Sequence, residues 1–443
     1  MASTYISRTL ASNGQKKGTI SVWFKVGGLG TERAIVTSYY DATYHASILL
    51  SSNDQIDVFD YRSGYVSRLL TTRLFKDVGA WYHLVYEFDS TNGVADDRNK
   101  LWINGVQETA FDSRTNYGSS ASTSWDTDYS FRIGARNSDQ YWNGEMSHFY
   151  FIQGYNYAAS TFGSTDATSG IWTINTSASV DYDGTGGNSC FLKMEDRTNL
   201  DLDSGDNSLT MTTTGNLTAT YDNPSNNFAT LNPLTKDEGG AKTYSNGNTT
   251  VAETANSWTS AHSSLAVSAG KWYFESKVTY TSSDEAYIGC AAVSEINSKT
   301  ASTFYLGQGA SIGYYTNSGA IYKDSSSTSY GNSVTTGQIV GVALDITNEL
   351  AYFSINGVWQ NSADPVAGSG GVAFPTGMTA GEFICLSVSP NESYLECNYG
   401  NGYFGTTAVS TSESDDAGIG SFEYDVPTGY YALCTKNIKA YGG

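Results

Sequence analysis

Apolar and polar residues alternate along several stretches of the chain, the period-two signature of strands with one face on a core. The clearest run is residues 81–89, where Tyr82, Leu84, Tyr86 and Phe88 interleave with Trp81, His83, Val85 and Glu87. It ends at Asp89 and leads, after a loose turn, into Leu101-Trp-Ile-Asn-Gly-Val106. Residues 338–345 repeat the arrangement, with Val340, Val342 and Leu344 alternating ahead of Phe353-Ser-Ile-Asn-Gly-Val358. Asn-Gly tolerates positive φ at both positions, so each motif predicts a hairpin whose second strand leaves through a tight turn. Two copies about 250 residues apart predict two related sandwich domains.

Further strands are expected at residues 19–26, 34–38, 45–50, 55–59, 68–70, 131–135 and 145–152 in the first half. In the second half they are expected at 270–278, 286–293, 311–315, 382–388 and 394–398. Only residues 158–162 suggest a short helical turn, and the absence of a heptad repeat excludes a coiled-coil shaft. Residues 181–220 are rich in Asp, Asn, Thr and Gly, with strand fragments at 190–194 and 209–213. All six prolines lie from Pro224 onward. This places a first sandwich at 1–222, a stiffened connector at 223–240 and a second sandwich at 241–443, whose apolar segment 422–438 packs back. The expected fold class is all-β, two antiparallel jelly-roll sandwiches in tandem.

Composition agrees with that class. The 443 residues are 39% apolar and 14% aromatic but only 15% charged, enough for real cores and too little charge for disorder. A formal net charge of −20 argues against a nucleic-acid backbone or an anionic membrane surface as partner, because both would be repelled. No apolar run reaches membrane-spanning length, and the first eight residues lack the apolar core of a secretion signal, so synthesis and retention in a cytoplasm are expected. Five cysteines without a Cys-x-x-Cys pair, with Cys290 and Cys385 inside strand-like runs, read as buried inert thiols.

Residues 19–26, the Trp81-Tyr-His to Asn104-Gly105 hairpin and Arg132-Ile-Gly with Trp142-Asn-Gly-Glu-Met146 resemble the laminin-G-like, concanavalin-type lectin sandwich. Gly270-Lys-Trp-Tyr-Phe-Glu275, Tyr287-Ile-Gly289, residues 341–345 and Ser354-Ile-Asn-Gly357 resemble a SPRY domain, another two-sheet sandwich. The joining pieces, Phe151-Ile-Gln-Gly154, residues 223–233, Gly402-Tyr-Phe-Gly-Thr-Thr407 and residues 424–438, resemble an architecture recurrent in bacteriophage virion proteins. That resemblance spans nearly the whole chain and implies a particle component of the tail-fibre or decoration type. The habit of such appendages implies a homotrimer, in contact with other virion proteins.

Glycan recognition needs flat aromatic faces for the apolar sides of sugar rings and amides or carboxylates for the hydroxyls. Loop-like stretches offer both: Tyr39 and Tyr40, Trp125 with Asp126, and Tyr141, Trp142 and Asn143 in the first half, with Tyr314, Tyr315 and Trp359 in the second. The alternative for each is an aromatic that caps the sandwich or forms a subunit contact. Trp23, Trp81 and Trp272 lie in strand patterns and are core candidates. For calcium, Asp96 with Asp97, Asp126 with Asp128, and residues 199–206 supply carboxylates, but solvated acidic loops fit the spacing better, so no cofactor is expected. Catalysis has little support: the four histidines are scattered, no metalloprotease or nucleophile-elbow motif occurs, and no Glu-x-Asp-x-x-Glu strand supplies the glycosidase carboxylate pair. The expectation is a non-enzymatic virion protein on the particle exterior that binds host-surface carbohydrate. The alternative is a capsid or tail cement that binds only other virion proteins.

Overall fold

The structure is a computed structural model that describes residues 4–137, 139–182, 187–235, 242–282, 285–299, 304–379 and 381–442. It is all-β, with 43% strand and 6% helix, and divides into two compact units, Met1–Ala219 and Thr220–Gly443.

In the first unit an eight-stranded antiparallel sheet runs in the order Phe111–Thr115, Tyr65–Leu74, Gln55–Arg62, Tyr44–Leu50, Arg33–Tyr39, Ser130–Ile133, Tyr5–Thr9, Thr212–Thr214. A six-stranded sheet runs Cys190–Leu192, Gly144–Gln153, Lys17–Val26, Trp81–Asp89, Asn99–Ile103, Val106–Gln107. Alternation sends Ile20, Val22, Phe24, Leu84 and Tyr86 from the six-stranded sheet into one buried cluster with Ile48, Leu50, Ile56, Val58 and Leu69 from the other. The outer face of the six-stranded sheet is covered. There the hairpin Gly163–Thr165 with Trp172–Ile174 belongs to a second apolar layer, in which Trp102 and Trp172 pack against Val85, Tyr150, Ile152, Phe162 and Phe191. Trp23 is buried on that side, stacked on His83 at 4.7 Å. Trp81, expected in a core, is only half-buried.

The second unit repeats the plan with a nine-stranded and a six-stranded sheet. Lys271–Tyr280, Ile339–Asp345 and Leu350–Ile355 are successive neighbours in the larger one, and Ala286–Ala292, Ser311–Tyr315 and Ile384–Pro390 pair in the smaller. Residues 223–235, expected as part of a connector, are built into this unit: Phe228, Ala229 and Leu231 are buried, and Phe228 bridges to Cys434. The prolines flank an apolar segment that packs, so stiffness does not mark a linker here. The remainder of that stretch, 236–240, lies outside the described residues. Phe422, Tyr430, Ala432 and Cys434 pack against Tyr273, Ala343 and Tyr352 on the nine-stranded sheet. The expected strand at 286–293 stops at Ala292, where the short helix Val293–Ser298 begins, and Thr435–Tyr441 is a second helix. All five cysteines are free and buried.

The repeated Ile-Asn-Gly-Val motif has one physical job in both units. Asn104 (φ 49°) donates its N–H to the His83 carbonyl at 2.9 Å and accepts the His83 N–H on Oδ1 at 2.8 Å. Asn356 (φ 45°) does the same to Ile339, at 2.8 and 2.9 Å. The side chain thus acts as an extra ladder rung, pinning the turn to the neighbouring strand. Gly105 and Gly357 follow at φ 77° in both units. The Trp172 ring lies over Gly105 and the Tyr424 ring over Gly357, where a side chain would have to sit.

Candidate functional site

Residues out of phase with the core project from the opposite face of a strand. On the eight-stranded sheet that face carries a connected aromatic set. The pairing register places Tyr39 opposite His45, His45 opposite Tyr61, Phe59 opposite Arg68 and Tyr61 opposite Tyr65. With the loop residues Glu32, Arg136, Asn137 and Asp139 they line an open groove of about 680 Å³.

The rings hold one another edge to face. His45 and Phe59 centroids lie 5.4 Å apart at 82°, Phe59 and Tyr65 5.6 Å at 82°, and Tyr61 and Tyr65 5.3 Å at 76°. Beneath them Ala34, Leu49 and Phe59 form a small buried cluster. Tyr65 stays 44% exposed, and the Arg68 guanidinium lies 4.4 Å from its ring centroid. Arg68 also forks onto the buried Asp57 carboxylate with contacts of 2.7, 3.1 and 3.2 Å. Burial pushes the Asp57 carboxyl up and Arg68 pulls it back, and the bidentate geometry is that of an ion pair. Arg136 pairs with Glu32 at 3.0 Å. His45 is nearly buried, and burial followed by the Arg136 charge lowers its pKa, so the ring is neutral at pH 7. Its Nδ1 has no hydrogen-bond partner among the described residues. The groove therefore combines apolar ring faces with fixed polar groups at their edges.

The structure separates the residues expected at a sugar site. Tyr39 lines the groove. Tyr40 is 67% exposed beside it in sequence and stacks on Tyr129 at 5.3 Å. Trp125, expected at a loop tip, is wholly buried in the sandwich core, which corrects that expectation. Its short turn Ser124–Asp126 is held by Asp60, which accepts the Ser124 N–H at 2.8 Å and Oγ–H at 2.7 Å. Asp126 is buried as well and accepts the backbone N–H groups of Asn13 and Gln15, so it fastens a loop. Tyr141 stacks on Tyr5 at 6.4 Å, Trp142 sets its edge on the core residue Phe24 at 5.7 Å, and Asn143 donates from Nδ2 to the Gly27 carbonyl. In the second unit Tyr314 is wholly buried, a second correction, and its hydroxyl donates to the Asn332 carbonyl. Tyr315 lies half-buried in a cluster with Tyr287 and Tyr322, and donates to Glu285 at 2.7 Å. Trp359 is half-buried at a separate pocket.

Replacing Trp125 by Phe is expected to cost about 1–2 kcal/mol of first-unit stability through the cavity left in the core. Chemical denaturation of the folded variant checks this.

Several acidic loop residues bond to the chain's own groups. Asp97 pairs with Lys100 at 3.1 Å, Asp96 accepts from Asn116, and Asp203 accepts the backbone N–H groups of Phe191, Gly205 and Leu209. Among the described residues no group of three or more His, Cys, Asp or Glu is arranged to hold a metal ion. His45, Phe59, Tyr61, Tyr65 and Arg68 were not legible as a site. Their only sequence signal is the outward phase of three adjacent strands.

Residues 2–161 match the family model described as the concanavalin A-like lectin/glucanases superfamily, and residues 271–393 match that of the SPRY domain. No curated protein matches the chain. Among solved structures, the stonustoxin structure is similar at 17% identity over 38% of this chain and 27% of that one, with a TM-score of 0.28. The crystal structure of the SPRY domain of human HERC1 is similar at 13% identity over 33% of this chain and 86% of that one, with a TM-score of 0.25. On the two family matches, the chain carries a concanavalin A-like domain followed by a SPRY domain.

Proposed function

We propose that this is a non-enzymatic binding protein on the exterior of a bacteriophage particle, and that the groove of the first unit holds host-surface carbohydrate. The observation that carries the reading is the uncovered aromatic face: Tyr39, Tyr61 and Tyr65 beside the Asp57–Arg68 and Glu32–Arg136 pairs. Ring faces suit the apolar sides of sugars, and the fixed charges suit their hydroxyls. The placement on a virion and assembly as a homotrimer rest on the resemblance of the joining segments. Asp57 and Glu32 are each tied to an arginine, which suits positioning more than proton transfer.

The test is binding of the purified protein to intact and periodate-oxidised host cells. Tyr65→Ala and Tyr39→Ala are each expected to weaken binding about tenfold, equivalent to ~1.4 kcal/mol, and oxidation to abolish it. Binding unchanged by both substitutions in folded protein would remove the groove from the reading. The second reading, a cement that binds only other virion proteins, is favoured by the exposed Val106 and Ile171, which adjoin the Gly105–Trp172 contact. It predicts no cell binding and burial of those two side chains in the particle.

A further inference from the structure

The second unit has a pocket of about 550 Å³ that the glycan reading does not use. One wall, Trp359 to Val366, belongs to the SPRY-matching part, whereas the other, residues 413–428, follows the end of that match at 393. Its apolar surface comes from the half-buried Trp359, from Val366, which is 58% exposed, and from Val426 and Pro427. Three carboxylates stand among these: Asp364, Glu413 and Asp425.

The carboxylates do not share one structural job. Asp364 accepts the N–H groups of Val366 and Ala367 at 2.9 and 3.0 Å and so shapes its own loop. The Glu413 and Asp425 side chains have no hydrogen bond or ion pair among the described residues. Among the described residues no lysine or arginine lines the pocket. Residues 220–443 contain eight lysines, no arginine and twenty acidic residues, so cations are scarce throughout this unit. A pocket that an indole and unpaired carboxylates line together suits a cation, and the apolar wall suits a methylene stem.

We propose that this pocket takes an arginine or lysine side chain presented by an extended segment of another protein. The charged head would lie by Trp359, Glu413 and Asp425, with the stem along Val366 and Val426. This is a protein-docking site independent of the groove in the first unit, and it stands whether or not that groove binds sugar.

The experiment is calorimetric titration of the full chain with the peptide acetyl-Gly-Gly-Arg-Gly-Gly-amide, its lysine counterpart and its citrulline counterpart, which keeps arginine's shape without the charge. A cationic peptide is expected to bind with a submillimolar Kd, and citrulline to weaken binding at least tenfold. Trp359→Ala, and separately Glu413→Gln with Asp425→Asn, are each expected to weaken the cationic peptide at least tenfold. The paired amide substitutions keep side-chain size, so the assay remains readable if Trp359→Ala fails to fold. Equal affinity for arginine and citrulline peptides, unchanged affinity in the paired variant, or no saturable binding at millimolar peptide would each overturn the proposal. Free arginine amide binding as tightly as the peptide would assign the pocket to a small cation and overturn the protein-segment assignment.

Discussion

Glu275→Ala is expected to destabilise the second unit by about 3–5 kcal/mol, because it strips the acceptor from a group of buried donors. Glu275 lies on the strand Lys271–Tyr280 with no exposed surface. It accepts the backbone N–H groups of Glu423 and Tyr424, both at 2.9 Å, and the Tyr273 hydroxyl at 3.1 Å. The carboxylate thereby ties the C-terminal segment to the sheet.

The same residue gives this unit a pH dependence. Burial pushes the Glu275 carboxyl from its ordinary 4.5 up to about 7, against the pull of its N–H donors. Between those values the folded unit holds a proton that the unfolded chain has released. Its contribution is therefore fully present below pH 4.5 and is lost as pH rises through 7. Thermal melts at pH 5 and pH 8 should differ by roughly 5–10 °C, about 2–4 °C per kcal/mol for a unit of this size, the higher pH being the less stable. Glu275→Gln, which keeps an acceptor but no titration, should flatten that difference. An equal slope in the variant would show that another group titrates.

The second large effect is expected at the paired turns. Gly105→Val and Gly357→Val place a β-branched side chain at φ 77°, beneath the rings of Trp172 and Tyr424. Left-handed backbone and overpacking together should cost about 3–5 kcal/mol in each unit. Denaturant midpoints of the two variants, read with a probe in each unit, check this. If either substitution leaves its unit within ~1 kcal/mol of wild type, the ring contact is not holding that turn.

The strands around these turns were legible because their alternation is long and their Asn-Gly steps permit few conformations. The groove was not, because His45, Phe59 and Tyr65 sit on three successive strands and only the pairing register sets them side by side. Each looks locally like an ordinary strand residue with a polar neighbour. Trp125 misled for the converse reason: Thr-Ser-Trp-Asp reads as a loop, and nothing local reports that Asp60 folds this turn inward onto the core. Residues 223–235 misled because their prolines suggested a spacer, while Phe228, Ala229 and Leu231 carried the apolar signal of a packed segment.

The five buried thiols leave the folded chain open to selective labelling at an introduced cysteine. Burial pushes Cys290, Cys385 and Cys397 up to about 12 and raises Cys190 and Cys434 too, so the folded chain offers thiol reagents almost no thiolate at neutral pH. A cysteine introduced at the exposed Tyr40 position would therefore take a maleimide dye selectively, without first removing the native five. A fluorophore could then stand near the groove of an otherwise native protein.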